Sequence, residues 1–150
     1  MKYIHILKSG ARGKIVMKVI IEEVKVVADK RGSVFEPLSA EAFKLQRNAH
    51  VVISLPGVVR GNHYHRCGTE VVTVAGPSRL CFREGAAIRD IDIPDKKVFR
   101  FTIPPNVSHA IQNTGAKSGV LMAFNTIEHD PENSDTVEDV LIPVSIVSDI

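Results

Sequence analysis

Tryptophan is absent from the 150 residues, aromatic side chains make up 5% of them, and cysteine occurs twice. So few aromatic rings argue against a base-stacking or sugar-stacking surface. Cys67 and Cys81, with no spacing pattern, do not make a disulfide framework. Neither sign of charge forms a long block. The 19 basic and 17 acidic residues leave a formal charge of +2, which speaks against the clustered basic face that nucleic acid favours. No apolar run approaches the ~18 residues of a membrane helix, and the opening Met1-Lys-Tyr-Ile-His-Ile-Leu-Lys8 is too short in apolar residues for a signal peptide. The expectation is a cytoplasmic protein with neither a membrane nor a nucleic-acid partner. The length suits one domain, residues 1–150, with a core of its own.

What is abundant is valine and isoleucine in short segments. These run from Val16 to Val27, Val51 to Leu55, Val58 to His65, Glu70 to Val74, Arg79 to Phe82, Val98 to Ile103 and Val120 to Thr126. Turn residues punctuate them at Gly32, Pro56-Gly57, Gly76-Pro77, Gly85, Pro94-Asp95, Pro104-Pro105-Asn106 and Gly115. Only Ser39 to Gln46 suits a helical turn or two. The pattern predicts an all-β domain, and many short antiparallel strands close most economically as a sandwich or jelly roll. Met1 to Lys14 and Val140 to Ile150 are also apolar enough to be strands. A terminal Val140-Leu-Ile-Pro-Val-Ser-Ile-Val147 could pair with the barrel's own edge or with a second subunit, so a homodimer is expected.

Chemistry concentrates in Gly57-Val-Val-Arg-Gly-Asn-His-Tyr-His-Arg-Cys-Gly-Thr-Glu70. Residues two apart on a strand share a face, so His63 and His65 project side by side. Glu70 can return on the next strand of a hairpin turning near Cys67-Gly68-Thr69, and His109 follows the turn Pro104-Pro105-Asn106. Six histidines in the chain make an accidental pair possible, but the added glutamate and third imidazole favour a metal site. Three neutral imidazoles and one carboxylate suit Zn, Fe, Mn, Ni or Cu, and the sequence does not choose among them. Cys67 is a competing ligand that Gly68 removes by ending the strand. Cys81 reads as a core residue, Asn106 as a turn residue tolerant of positive φ, and His5, His50 and His129 as surface or hydrogen-bonded histidines.

The spacings Gly57-x5-His63-x-His65-x4-Glu70 and Pro104-x4-His109-x3-Asn113 resemble the two cupin motifs. That resemblance implies a jelly-roll barrel with a divalent metal held by His63, His65, Glu70 and His109. The departures are a Glu70-to-Gly76 spacing one residue short, Asn106 where a glycine is usual, and no glycine near Val98. Asp29-Lys-Arg-Gly-Ser-Val-Phe-Glu36, Gln46-Arg-Asn48 and Gly57 to Tyr64 further resemble the dTDP-4-dehydrorhamnose epimerases among the RmlC-like cupins. By that resemblance Arg31, Gln46, Asn48 and Arg60 contact a nucleotide-sugar. Arg60-Gly-Asn-His-Tyr-His65 and His129-Asp-Pro-Glu-Asn-Ser-Asp-Thr136 are most similar to the C-terminal zinc cupin domain of bifunctional capsular-polysaccharide enzymes. The resemblance covers residues 20 to 140 and implies C3 epimerisation of a UDP-4-keto sugar; the reductase half of those enzymes has no counterpart in this sequence.

The two resemblances conflict at His63. In the metal-free rhamnose epimerases the matching histidine is the base, a role closed to an imidazole that donates to a metal. Those enzymes have Gln where this chain has His65, so His65 favours the metal, with zinc preferred over Fe, Mn or Ni by resemblance. Their acid tyrosine comes from a later strand, and this chain has only Tyr3 and Tyr64. The base is unassigned, with Tyr64 and His50 as weak candidates. The leading expectation is an epimerase or isomerase of a 4-keto-6-deoxy nucleotide-sugar in surface-polysaccharide synthesis. An Fe-dependent dioxygenase of a small molecule and a non-catalytic ligand-binding cupin are the alternatives.

Overall fold

A computed structural model describes residues 18–144. Its strands are β1 (Ile20–Glu23), β2 (Val27–Asp29), β3 (Gly32–Val34), β4 (Asn48–Ser54), β5 (Val59–His65), β6 (Glu70–Ala75), β7 (Ser78–Glu84), β8 (Ala87–Ile93), β9 (Val98–Ile103), β10 (His109–Asn113), β11 (Gly119–Asn125) and β12 (Thr136–Glu138). The helical turn α1 (Ala40–Phe43) is capped by Ser39, whose side chain accepts from Ala42 N. Two five-stranded sheets, ordered β1-β9-β6-β11-β4 and β12-β5-β10-β7-β8, face each other, and β2-β3 forms a separate hairpin. Every pairing is antiparallel. This is the jelly roll the pattern predicts.

The core follows from side-chain alternation. On one sheet Val72, Val74, Phe101, Ile103 and Leu121 point inward, and they meet Leu80, Phe82, Ile93 and Ile111 from the other. Phe82, Phe101 and Leu80 are wholly buried, each contributing about 1.5–3 kcal/mol of transfer free energy. β6 is buried on both faces, because Pro37 and Leu38 cover its outer side and Thr73 Oγ1 donates to Pro37 O at 2.7 Å. That explains why its valines on both faces are buried.

Several expectations need correction. The single strand from Val16 to Val27 is two, since Val24 N makes a final bond to Val98 O before the chain turns away. β8 was not expected, because Arg89, Asp90 and Asp92 face solvent and mask its period. His65 and Glu70 do not belong to one hairpin. β5 and β6 lie in different sheets, so residues 66–69 cross from one sheet to the other and Glu70 confronts the histidines across the barrel. The stretch from Val140 is not a strand as far as it is described: Ile142 packs with Cys81 and Ala110 on the outer face of its own sheet. The segment from Met1 to Lys14 lies outside the described residues.

A bulge in β5 sets the position of the histidines. The register with β10 shifts between His109 and Ala110, which pair with His63 and Gly61, leaving Asn62 as the extra residue. Gly61 has φ +86, and a Cβ there would stand 2.8 Å from His109 O, so only glycine fits. Asn62, with φ 57, turns its side chain to the C-terminal segment: its Nδ2 donates to Ile142 O at 2.8 Å and its Oδ1 accepts from Leu141 N and Ile142 N at 2.9 and 3.0 Å. Replacing Asn62 with Ala removes these buried bonds and leaves Ala in a left-handed conformation. The expected loss is about 2–4 kcal/mol in urea unfolding; a change below about 0.5 kcal/mol would show that the segment is not anchored there.

Candidate metal centre

The pairing of His109 with His63 puts both imidazoles on the inner face at one end of the barrel. His65 follows two residues along the same strand, and Glu70 opens β6 on the inward parity of Val72 and Val74. Ring centroids are 4.8 Å apart for His63 and His109, 5.1 Å for His63 and His65, and 6.0 Å for His65 and His109. One donor atom from each of His63, His65, Glu70 and His109 lies within 4.8 Å of all the others. All four residues expected as ligands are thus brought together.

Proton bookkeeping among these atoms favours a cation. His109 Nδ1 lies 3.2 Å from Val107 O, and since a carbonyl only accepts, Nδ1 carries the proton and Nε2 presents its lone pair. That Nε2 stands 2.7 Å from Glu70 Oε2, lone pair toward lone pair. Glu70 Oε2 and His65 Nε2 are both buried without a hydrogen-bond partner, although Glu70 Oε1 is 3.5 Å from His65 Nε2. Buried polar atoms are rarely left unpaired. A shared positive charge, a proton or a metal ion, would satisfy them together, so the donor set fits a divalent ion.

The charges respond accordingly. Burial pulls His63 down to about 4, helped by His109 and partly opposed by Glu70. Burial would raise Glu70, but His109 and His65 outweigh it and hold the carboxyl well below its usual range. Burial lowers His65 too, yet Glu70 and Asp135 more than offset this and leave it raised.

A cavity of about 160 Å³ adjoins the cluster, lined among others by Asn48, His50, Ala123, Asn125, His129 and Asp135. Of the four residues expected to bind substrate, Asn48 alone is in its lining. Arg31 is exposed in the β2–β3 turn and ion-paired with Asp29 at 2.6 Å. Gln46 Nε2 donates to Ala42 O at 2.7 Å, and Arg60 is exposed on β5 outside the lining. Tyr64 falls on the opposite parity from His63 and His65, paired with Val137, which takes it away from the cluster. Cys67 is exposed and outside the ligand set. Asn106 adopts φ 62 as a turn residue and donates its N–H to His65 O. His5 and Tyr3 lie outside the described residues.

Two features escaped the sequence reading. His50 and His129, which had no visible partners, meet edge to face with centroids 5.8 Å apart. Asp135 accepts from Cys67 N and Gly68 N at 2.9 and 2.8 Å and places Oδ2 3.7 Å from His65 Nδ1. It buttresses the strand end that carries His65. Gly68 is required there, since a Cβ would fall 2.3 Å from Asn125 Oδ1 and 2.9 Å from Asp135 Oδ2. No local signal links residue 135 to residue 65.

Two facing antiparallel sheets with an open end give this chain the jelly-roll fold of the RmlC-like cupins. Within that class the chain belongs to the polysaccharide biosynthesis C-terminal domain family, which matches residues 27–137. It is 34% identical over 84 residues to UDP-2-acetamido-2,6-beta-L-arabino-hexul-4-ose reductase of Pseudomonas aeruginosa, over 54% of this chain and 23% of the relative. The capsular polysaccharide assembling protein CapF of Staphylococcus aureus superposes with TM-score 0.59 at 26% identity, over 79% of this chain and 34% of CapF. The rmlC epimerase of Mycobacterium tuberculosis gives TM-score 0.61 at 20% identity, over 83% and 70% of the two chains, a likeness of fold. This chain therefore spans under a quarter of the reductase and about a third of CapF.

The charges predict how the chelated protein responds to acid. His63, depressed in the fold, contributes stability above its ordinary value of 6.5 that is lost as pH falls toward about 4. Glu70, also depressed, adds a loss below 4.5, while the raised His65 works in the opposite sense. The large His63 displacement decides the sign. The thermal midpoint should fall between pH 6.5 and 4, and His63→Gln should flatten the slope; a midpoint rising with acid would contradict this assignment.

Proposed function

We propose that the chain is a metal-binding cupin that epimerises or isomerises a 4-keto-6-deoxy nucleotide-sugar in surface-polysaccharide synthesis. The observation that carries this reading is the convergence of His63, His65, Glu70 and His109, the first three of which line a cavity. Membership of a polysaccharide-biosynthesis family supports the pathway class. The name of one relative, a reductase of a UDP-linked hexul-4-ose, supports a keto nucleotide-sugar as substrate, and that of a capsular polysaccharide assembling protein supports the pathway. A divalent ion bound by the four residues, zinc by preference, would polarise the substrate carbonyl as a Lewis acid and acidify the adjacent C–H.

The chain's own residues do the remainder. Val107 holds the tautomer of His109, and Asp135 lies against His65. His63, half-buried and neutral, is a donor in this reading and not the base. At about 160 Å³ the cavity is smaller than the ~300–1,000 Å³ of drug-sized ligand sites, so it would admit a sugar ring and leave the nucleotide outside. Asn48 in its lining is placed to bond sugar hydroxyls. Glu128, Asp130 and Asp135 make one side acidic and would direct a diphosphate away from it; the exposed Arg60, and Arg31 once freed from Asp29, carry guanidinium forks that suit phosphate oxygens.

A homodimer is part of the proposal. The row Val51, Ile53 and Leu55, 63–70% exposed at the edge strand β4, supports it. Cytoplasmic location is proposed with the nucleotide-sugar chemistry; among the described residues no helix is long and apolar enough to cross a membrane.

Elemental analysis should find about one divalent ion per chain, and His109→Ala should lose it while circular dichroism stays that of a β-protein. With a UDP- or dTDP-linked 4-keto-6-deoxyhexose in D2O, proton NMR should show deuterium entering a carbon next to the ketone. Oxygen uptake with Fe(II) and no exchange would move the assignment to a dioxygenase. Ligand binding with neither would leave a non-catalytic binder.

A further inference from the structure

One wall of the cavity carries chemistry that the metal cluster does not use. Residues opposite one another across the strands form rows on the inner face of the β6–β11–β4 sheet. Glu70 pairs with Asn125, which pairs with Asn48; in the next inward row Val72 pairs with Ala123, which pairs with His50. With strands ~4.8 Å apart, the β4 wall stands about 10 Å from the β6 strand that carries Glu70. Between them the floor is Ala123, whose methyl leaves the space open. A sugar ring over Ala123 would have Glu70 and the histidine cluster on one side and His50 on the other.

His50 is held for such a task. It lies within the seven-residue strand β4, paired throughout with β11, and its ring packs against that of His129 at 82° between planes. The loop that follows His129 is held by its own hydrogen bonds. Asp130 Oδ1 accepts from Glu132 N and Asn133 N at 2.9 and 3.2 Å, and Oδ2 accepts from Asn133 Nδ2. Two elements far apart in sequence thus bring two imidazoles to the rim of one cavity.

We propose that His50 is the base of the reaction and His129 its positioning partner, an inference that rests on the epimerase or isomerase reading above. The C–H bond next to the ketone breaks, its electron pair moves onto the carbonyl oxygen as an enolate, and the proton becomes an N–H of His50. Return of that proton from the imidazolium on the same face gives exchange with retention; for inversion, water on the opposite face gives a proton to the carbon and the hydroxide left behind takes the imidazolium proton, which restores a neutral sugar and the free base. Imidazole is the commonest side chain for this role and is worth ~10²–10⁴ in rate. The arrangement also resolves why His63 need not serve both as ligand and as base.

The test compares the full chain with His50→Gln and His129→Gln, following deuterium entry into a dTDP-linked 4-keto-6-deoxyhexose in D2O alongside metal content and thermal midpoint. His50→Gln should keep its metal and slow exchange by about 100-fold or more, with His129→Gln affected less. Added imidazole should restore part of the exchange in His50→Ala, which a purely structural role would not allow. Exchange in His50→Gln within about threefold of the unsubstituted chain would overturn the inference while leaving the epimerase reading intact. Absence of exchange in the unsubstituted, metal-replete chain would remove that reading and this inference together. If His50→Gln loses metal or stability, the His50→Ala rescue decides, and no rescue counts against His50.

Discussion

A carboxylate kept charged among three imidazoles at the end of an apolar barrel is the constraint to which the rest of this structure answers. Glu70 is buried beside His65 and His109, with lone pairs facing lone pairs and no hydrogen-bond partner for Glu70 Oε2 or His65 Nε2. Such a grouping is unfavourable unless a positive charge joins it. The fold bears that demand by surrounding the cluster with rigid supports. Val107 fixes the tautomer of His109, and Asp135 ties down the chain just past His65. The barrel below supplies the stiffness through a core of fully buried Phe82, Phe101 and Leu80.

The supports reach well beyond the cluster. The Gly61–Asn62 bulge sets which residues of β5 oppose His109, and the same Asn62 anchors Leu141 and Ile142 on the outer face of the sheet. Asp139 adds a hydrogen bond from Ser108 and an ion pair with Arg83. One bulge therefore couples the inner face, where the donors meet, to the outer face, where the C-terminal segment packs. Damage to either side should be felt at the other.

Much of this was legible in the chain. The candidate ligands His63 and His65 stood out because a two-residue spacing on a strand has one geometric meaning, and β9 was readable to the residue because Val98 to Ile103 lies between turn signals. β8 was hidden because its charged residues face water, and the second sheet's claim on β5 was hidden because a connection of four residues serves a hairpin and a sheet-to-sheet crossing equally well. Arg31, Gln46 and Arg60, which came by resemblance, stand outside the cavity lining, while Asn48 stands in it. His50 and His129 looked solitary because their meeting depends on a loop of the β11–β12 connection folding back over the edge of β4.

By itself the sequence determined the strand-rich character of the fold, the four donor residues and the glycines and asparagines at the turns, because each depends on local period, side-chain chemistry or backbone φ. Tertiary structure alone decided that Glu70 approaches the histidines from the opposite sheet, that Asp135 stands behind His65, and that His50 and His129 share a rim with them. Those contacts join residues far apart in the chain: Glu70 and His109 by 39 positions, His65 and Asp135 by 70, and His50 and His129 by 79. No local preference encodes them; they follow from how two twisted sheets close around one core.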